Sequence, residues 1–430
     1  MGAPLRRAGR VELEPPLVIA SSGVGQGWIW RVLVLTLVGF TVSFNGCAYP
    51  AHSEVSDKQA DETREAMDRI YAAIRVLLPL AVEIDGNGFA RERSSAEEEL
   101  ENLQTGAADV FEHAADPLDR LLAGTLVDDY QRAWKAISEK NYESAAFFVR
   151  ESVDECVSCH LEIARPHAAP LAAGFARLRP FQRLDARERM RLALATYQIE
   201  EALSIGEAAL DDPSTPTHVL DGIALDYLIA GVRGARSPAR VTKTIDRLSH
   251  HDGLSGSFRS DLRQWIEALN EVVRHPPAET LSSARAELAA AQQVGRGASG
   301  MRARAHAVIA SRILSDWLAS RDRSNEELAA GCFEMGRADQ AIGRDYWPPK
   351  SDFYFECTID HAPGTELARR AYDALRDDVL LGYSGSSGTH VPADELHRLE
   401  RLKAIAEASP AFVRDPADRT QQSGRGSGRR

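Results

Sequence analysis

The chain has 430 residues, 44% of them hydrophobic and 27% charged. That is the make-up of a soluble protein with two or three domains, and it excludes a disordered, collagen-like or polytopic membrane chain. Its 51 Lys+Arg against 63 Asp+Glu leave −12, and only residues 424–430 are basic, which excludes nucleic acid as a partner. Aromatics are scarce at 7%, while Ala, Leu, Glu and Arg, which lose least on entering a helix, dominate. The expected fold class is all-α.

Residues 32–44 read VLVLTLVGFTVSF, without a charge, and follow Arg6, Arg7, Arg10 and Arg31. A membrane span needs about 20 apolar residues, so the stretch fits the apolar core of a secretory signal. Counting residues 27–30 lengthens it past Arg31 and leaves an uncleaved anchor open, so residues 1–50 are read as a signal or anchor segment. Phe44-Asn45-Gly46-Cys47 then leads into a polar stretch from His52. A cysteine after the apolar core, preceded by Gly, resembles the lipobox of bacterial lipoproteins, with Phe44 and Asn45 in place of the usual Leu and small residue. The resemblance implies lipid attachment at Cys47; ordinary cleavage after a small residue such as Ala48 is the alternative. In each case the chain from about residue 50 is exported, on the periplasmic side of the cytoplasmic membrane or at the outer membrane, attached through its N-terminus. Loss of residues 1–46 removes four Arg and two Glu, taking the net charge from −12 to −14.

Four helical segments follow. Met67, Ile70, Tyr71, Ile74, Leu77 and Leu78 recur at three- and four-residue steps, and Pro79 with Asp85-Gly86-Asn87-Gly88 should end that helix. Ser95 and Glu98 have the spacing of a capping box before a face of Leu100, Leu103, Ala107, Val110 and Ala114. Asp116-Pro117 opens a third helix carrying Leu121, Leu122, Leu126, Tyr130, Trp134 and Ile137 as far as Lys140-Asn141. The fourth starts near Tyr142 and puts Ala146, Val149, Val153, Cys156 and His160 on one stripe, with Pro166 as its stop.

Cys156-Val-Ser-Cys159-His160 is the attachment motif of a c-type haem. Two thiols three residues apart on a helix reach the two vinyls, and the next residue falls under the iron as proximal ligand. One covalent haem c is therefore expected. A thioredoxin-like redox pair wants a strand before the motif, where a long helical pattern stands instead, and a zinc site wants a second ligand pair, but no Cys-x-x-Cys or His pair lies within sixty residues.

Four helices with the haem motif near the end of the last resemble the class II c-type cytochromes, the cytochrome c′ type, over residues 55–165. The resemblance implies a four-helix haem bundle in which a first-helix residue faces the open side of the haem. Here that residue is Met67, a possible distal iron ligand, with core packing as the alternative reading. His113 is the other distal candidate, although its acidic neighbour suits a solvated histidine, and His167 lies in the loop after Pro166.

Pro166, Pro170 and Pro180 mark residues 166–185 as a linker. Helical spacing resumes at 186–209, 217–233, 257–273, 279–292, 301–319, 323–337, 364–381 and 392–407, and residues 409–430 read as a disordered tail. Helix pairs with short loops over 186–408 resemble a degenerate tetratricopeptide-like α-solenoid. The two-part order also resembles exported bacterial proteins in which a class II-like bundle precedes such helices and a Tyr-Ser/Thr-Gly-Ser-x-Gly turn, here Tyr383-Ser-Gly-Ser-Ser-Gly388. That stretch is not G-x-S-x-G and follows a helix, so an interhelical turn is expected rather than a nucleophile. His250-His251 reads as a solvated pair. Cys332 and Cys357 are either a disulfide or two buried thiols.

The expected function is one-electron transfer by an exported cytochrome, with a redox protein as partner, docked by the helical repeat. The rival is a haem-based redox or gas sensor acting through that repeat. Peroxidase chemistry ranks third, because it needs an open iron and distal acid–base groups; the protein is expected not to be an enzyme.

Overall fold

The computed structural model describes residues 57–83, 88–114, 117–162, 175–295, 300–319, 323–343, 350–386 and 388–408. The signal or anchor segment with Cys47, the linker residues 166–174 with His167, and the tail 409–430 lie outside the described residues. Among the described residues the fold is all-α, with one ladder of two two-residue strands. No described helix is long and apolar enough to cross a membrane.

The first helices are α1 (Asp57–Ala81), a single turn α2 (Gly88–Arg91), α3 (Arg93–His113), α4 (Pro117–Ser138) and α5 (Tyr142–Glu162). The four long ones close a ring: α1 packs on α3, α3 on α4, α4 on α5, and α5 on α1. Ala66, Ile70, Ala73, Ile74 and Leu77 form the buried stripe of α1. At Gly106 of α3 a Cβ would lie 2.7 Å from Ile70 Cγ1, so only hydrogen lets the two helices approach this closely.

Three local expectations are corrected. Helix α1 runs two residues past Pro79, because the last turn still closes through Val82 N–H to Leu78 O at 3.1 Å. Ser95 does not cap α3: α2 leads straight into it, and Glu92 O accepts from Ala96 N–H at 2.9 Å instead. On α4 the buried line is Leu122, Leu126, Tyr130, Ala133 and Ile137, which leaves Leu121 and Trp134 exposed beside it. The stop at Lys140-Asn141 is as read. Lys140 takes a left-handed φ of 61°, Asn141 N–H reaches Ala136 O at 2.8 Å, and the Asn141 side chain accepts from Ser144 N–H to start α5.

The chain continues through two 3₁₀ turns, Phe175–Arg177 and Arg179–Arg183, with Ala176 and Phe181 buried. Then come α6 (Ala186–Ala195), α7 (Ile199–Asp211) and α8 (Thr217–Ile229), the last running into a π turn, Ala230–Gly234. The expected segment 186–209 is thus two helices, broken at Thr196–Gln198. Next are α9 (Pro238–Ser249), α10 (Gly256–Arg274), α11 (Leu281–Gly295), α12 (Arg304–Leu318) and α13 (Asn325–Ile342). The last are α14 (Lys350–His361), α15 (Glu366–Gly382) and α16 (Ala393–Ala406). Asp185 with Glu188 and Ser324 with Glu327 form reciprocal capping boxes at α6 and α13.

Two features bear on organisation. One apolar core joins residues from Ala66 to Cys357, so the four long helices up to α5 share it with α6 to α14, while Phe333, Phe355 and the inner faces of α15 and α16 form a second. Cys332 of α13 and Cys357 of α14 are joined in a disulfide, both buried, with Cα atoms 6.1 Å apart. Closing a loop of 25 residues restricts the unfolded chain by about 3.5 kcal/mol. Reduction should lower the urea-measured unfolding free energy by roughly that amount; an unchanged midpoint after verified reduction would refute it.

Candidate functional site

Helix α5 loses its one-sided pattern in its last turns. Val153, Glu155, Val157, Ser158 and Leu161 are all buried, because the helix is covered on one side by α1 and α4 and on the other by α6 and the π turn. Cys156, Cys159 and His160 all lie in this covered segment. Neither Cys156 nor Cys159 is in a disulfide.

Cys156, His160 and Val153 line a cavity of about 30 Å³. Met67, Ile70, Tyr71 and Ile74 of α1 form its second wall, and Leu192, Ala195 and Thr196 close it from α6 and the turn that follows. Cys159 is half-buried against the same core without lining the cavity. The Tyr197 ring lies against the His160 imidazole, centroids 4.6 Å apart and planes at 50°.

The electrostatics keep Cys156 a neutral thiol. Burial pushes it up to about 12, and the nearby acids Glu155 and Asp154 add to the rise. Asp154 is itself raised to about 6, by burial against the pull of Arg191. Glu155 is raised to about 9 by burial and then by Asp129, and both its carboxyl oxygens are buried without a hydrogen bond. The cysteines also sit at the C-terminal end of α5, where the helix dipole is negative. Redox-active Cys-x-x-Cys pairs need the reverse, a thiolate favoured by a helix N-terminus or a cation. Among the described residues no cluster of three His, Cys, Asp or Glu side chains could hold a bare metal ion. What the arrangement offers is two thiols, an imidazole and a facing thioether against apolar walls. That donor set suits a covalently held haem, with Cys156, Cys159 and His160 as the groups that would hold it; the cavity itself has room for a water molecule or two, so the walls from α1 and α6 would have to part to admit the ring.

A buried ion network holds α6 against this helix. Arg191 donates to Asp154 of α5 at 2.8 Å and to Asp226 of α8 at 2.9 Å, and Arg187 reaches Asp226 at 2.8 Å. Burial would raise Asp226, but the two guanidinium groups overcome it and hold the carboxyl below its ordinary value.

The structure therefore brings Met67 to the cavity of Cys156 and His160. It does not bring His113 there: its Nδ1 meets Asp109 O at 2.7 Å and its Nε2 meets Glu62 of α1 at 3.3 Å. His250 bonds back to Asp246 O in the last turn of α9, and His251 accepts from Gly253 N–H in the loop that follows. Ser384 is exposed in the Ser384–Gly385 and Gly388–Thr389 hairpin, an interhelical turn as expected. The sequence reading missed Tyr71 as a wall residue, although it lies one turn from Met67. It also missed Leu192, Ala195, Thr196 and Tyr197, for which no local signal exists. Among the described residues, fold and site together define an all-α protein whose Cys156-Val-Ser-Cys159-His160 stretch on α5 meets a cavity walled by α1 and α6. No protein-family model, curated protein or solved structure matches the chain.

Proposed function

We propose that the protein is an exported c-type cytochrome that passes single electrons to a redox protein partner and turns over no substrate. The observation that carries this reading is the meeting of the Met67 side chain with Cys156 and His160 in one apolar cavity. In this reading Cys156 and Cys159 would hold one haem c as thioethers, His160 would be the proximal iron ligand and Met67 the distal one. When bound, the haem supplies reversible one-electron exchange at its iron. The protein's part would be to exclude water with Ile70, Ile74 and Leu192 and to hold the His160 imidazole and the Met67 thioether in place. Residues 55–165 then act as a class II four-helix bundle, and residues 186–408 as a tetratricopeptide-like solenoid that docks the partner. Residues 1–50, with or without lipid on Cys47, keep the protein at the membrane on the periplasmic side. A haem-based redox or gas sensor is the second reading, favoured by the contact of Tyr197 with His160.

Production in a host that matures c-type cytochromes tests both. The denatured full chain should stain for haem, and Cys156→Ser with Cys159→Ser should abolish the stain. Met67→Leu preserves volume and should cost less than about 1.5 kcal/mol in packing, yet it should lower the potential and shift the spectrum toward high spin. A colourless wild type sinks the cytochrome reading. A five-coordinate wild type whose spectrum changes with carbon monoxide or nitric oxide selects the sensor.

A further inference from the structure

We propose that Tyr197 is the positioning residue for His160, so that the helices beyond α5 complete the haem site. The inference rests on the cytochrome reading and concerns only this chain's own side chains.

Tyr197 occupies the residue after the C-cap of α6 with φ of 61°. Its N–H bonds Leu194 O at 3.0 Å, and Gln198 N–H bonds Ala193 O at 2.8 Å, the pair of bonds that ends a helix with one left-handed residue. Glycine is the usual occupant of that position, and a bulky aromatic side chain there is strained. Such conformations persist where the surroundings impose them, and they gather at functional sites. The surroundings here are built for it. Thr196 Oγ1 donates to Leu192 O at 3.0 Å, Gln198 Nε2 donates to Thr196 Oγ1 at 2.6 Å, and both residues are buried. Arg191, one turn earlier, ties α6 to Asp154 on the helix that carries His160. A turn with no need of an aromatic residue for its own geometry thus holds one against the imidazole.

The consequence is restricted rotation of the His160 ring. Partners that orient a metal-ligating histidine set the metal's properties along with the ligand itself. Tyr197 does this by ring contact, and it sits at the start of the second helical region, so displacement of α6 or α7 changes the setting of His160.

The full-length haem-loaded protein with Tyr197→Phe and Tyr197→Gly tests the idea. Gly suits the left-handed backbone and removes the ring; Phe keeps the ring. The midpoint potential and the low-spin electron paramagnetic resonance signal should shift in Tyr197→Gly and be retained in Tyr197→Phe. In the Cys156→Ser, Cys159→Ser protein, the ring-current displacement of the His160 proton resonances should likewise vanish with Gly and survive with Phe. A purely structural role would move thermal stability alone. A haem-loaded wild type whose Tyr197→Gly variant keeps potential and signal overturns this inference and leaves the cytochrome reading intact. A wild type without haem overturns both.

Discussion

Asp226→Ala should lower the unfolding free energy of the full chain by about 3 kcal/mol, within the range for breaking a buried ion pair from one side. The Asp226 side chain is 0% exposed and receives two guanidinium groups, Arg187 and Arg191. Removing it strands both. Arg191 keeps Asp154 as a partner, and the Arg187 side chain is 31% exposed, so water takes up part of its charge. Those two facts place the expected loss toward the lower end of the range. Arg191→Met should cost at least as much, because it leaves Asp154 and Asp226 without their shared cation while Arg187 compensates only the second. A double-mutant cycle over Arg191 and Asp226 should give a coupling of about 1–3 kcal/mol, as for residues in one network. Urea unfolding followed by far-ultraviolet circular dichroism measures all three variants. A loss below about 0.5 kcal/mol for Asp226→Ala, the size of an ordinary surface change, would show that the network does not hold the two parts together. Because the core is continuous across α5 and α6, the loss should appear in the same transition that unfolds the four long helices up to α5.

What could be read in the sequence follows from how many sides of each helix are covered. Helices α1, α3 and α4 face the core on one side, so their apolar residues recur at three and four. Even there the eye takes neighbours such as Leu121 and Trp134 into the stripe, although both are exposed. Helix α5 is covered on two sides in its last turns, where Ser158 and Glu155 are as buried as Val157, and periodicity cannot reveal that. Cys156, Cys159 and His160 were legible because their chemistry lies in adjacent positions of one helix. The walls were not, since Leu192 and Thr196 reach the cavity from beyond the linker. The break between α6 and α7 contains neither Gly nor Pro: Tyr197 supplies the left-handed residue at a position where sequence rules look for Gly. Helix α9 escaped notice despite Val241, Ile245 and Leu248 at steps of four and three, all buried, and despite Pro238 at its first position.

Glu155→Gln should abolish most of the loss of stability that the wild type shows between pH 6.5 and 8.5. Glu155 lies one residue before the first motif cysteine, on the side of α5 turned toward α4, with its carboxyl oxygens buried and without a hydrogen bond. Burial is the chief cause of its rise from 4.5 to about 9; Asp129 and Glu151 add to the rise, and Thr125 and Arg132 oppose it. The folded state therefore keeps a proton on Glu155 at neutral pH that the unfolded chain has released. A carboxyl raised in this way contributes fully below about pH 4.5. Its contribution then falls by about 1.4 kcal/mol per pH unit until the folded carboxyl ionises near pH 9. Over the two units from pH 6.5 to 8.5 the wild type should thus lose about 3 kcal/mol through this residue. Asp154, raised only to about 6, has lost most of its own contribution by the start of that window, so the slope above it comes chiefly from Glu155. Gln keeps the shape of the protonated acid and cannot ionise, so the variant should be nearly flat over the same range. Its absolute stability at pH 5 is a separate matter, since the amide is left as poorly bonded as the acid it replaces. The decisive quantity is the difference in slope, read from urea unfolding at five pH values for the wild type and Glu155→Gln. Parallel slopes would mean that the Glu155 carboxyl reaches water in the folded protein. The acidic side of the motif helix would then be open, and the neutral state of the Cys156 thiol would rest on its own burial and on Asp154.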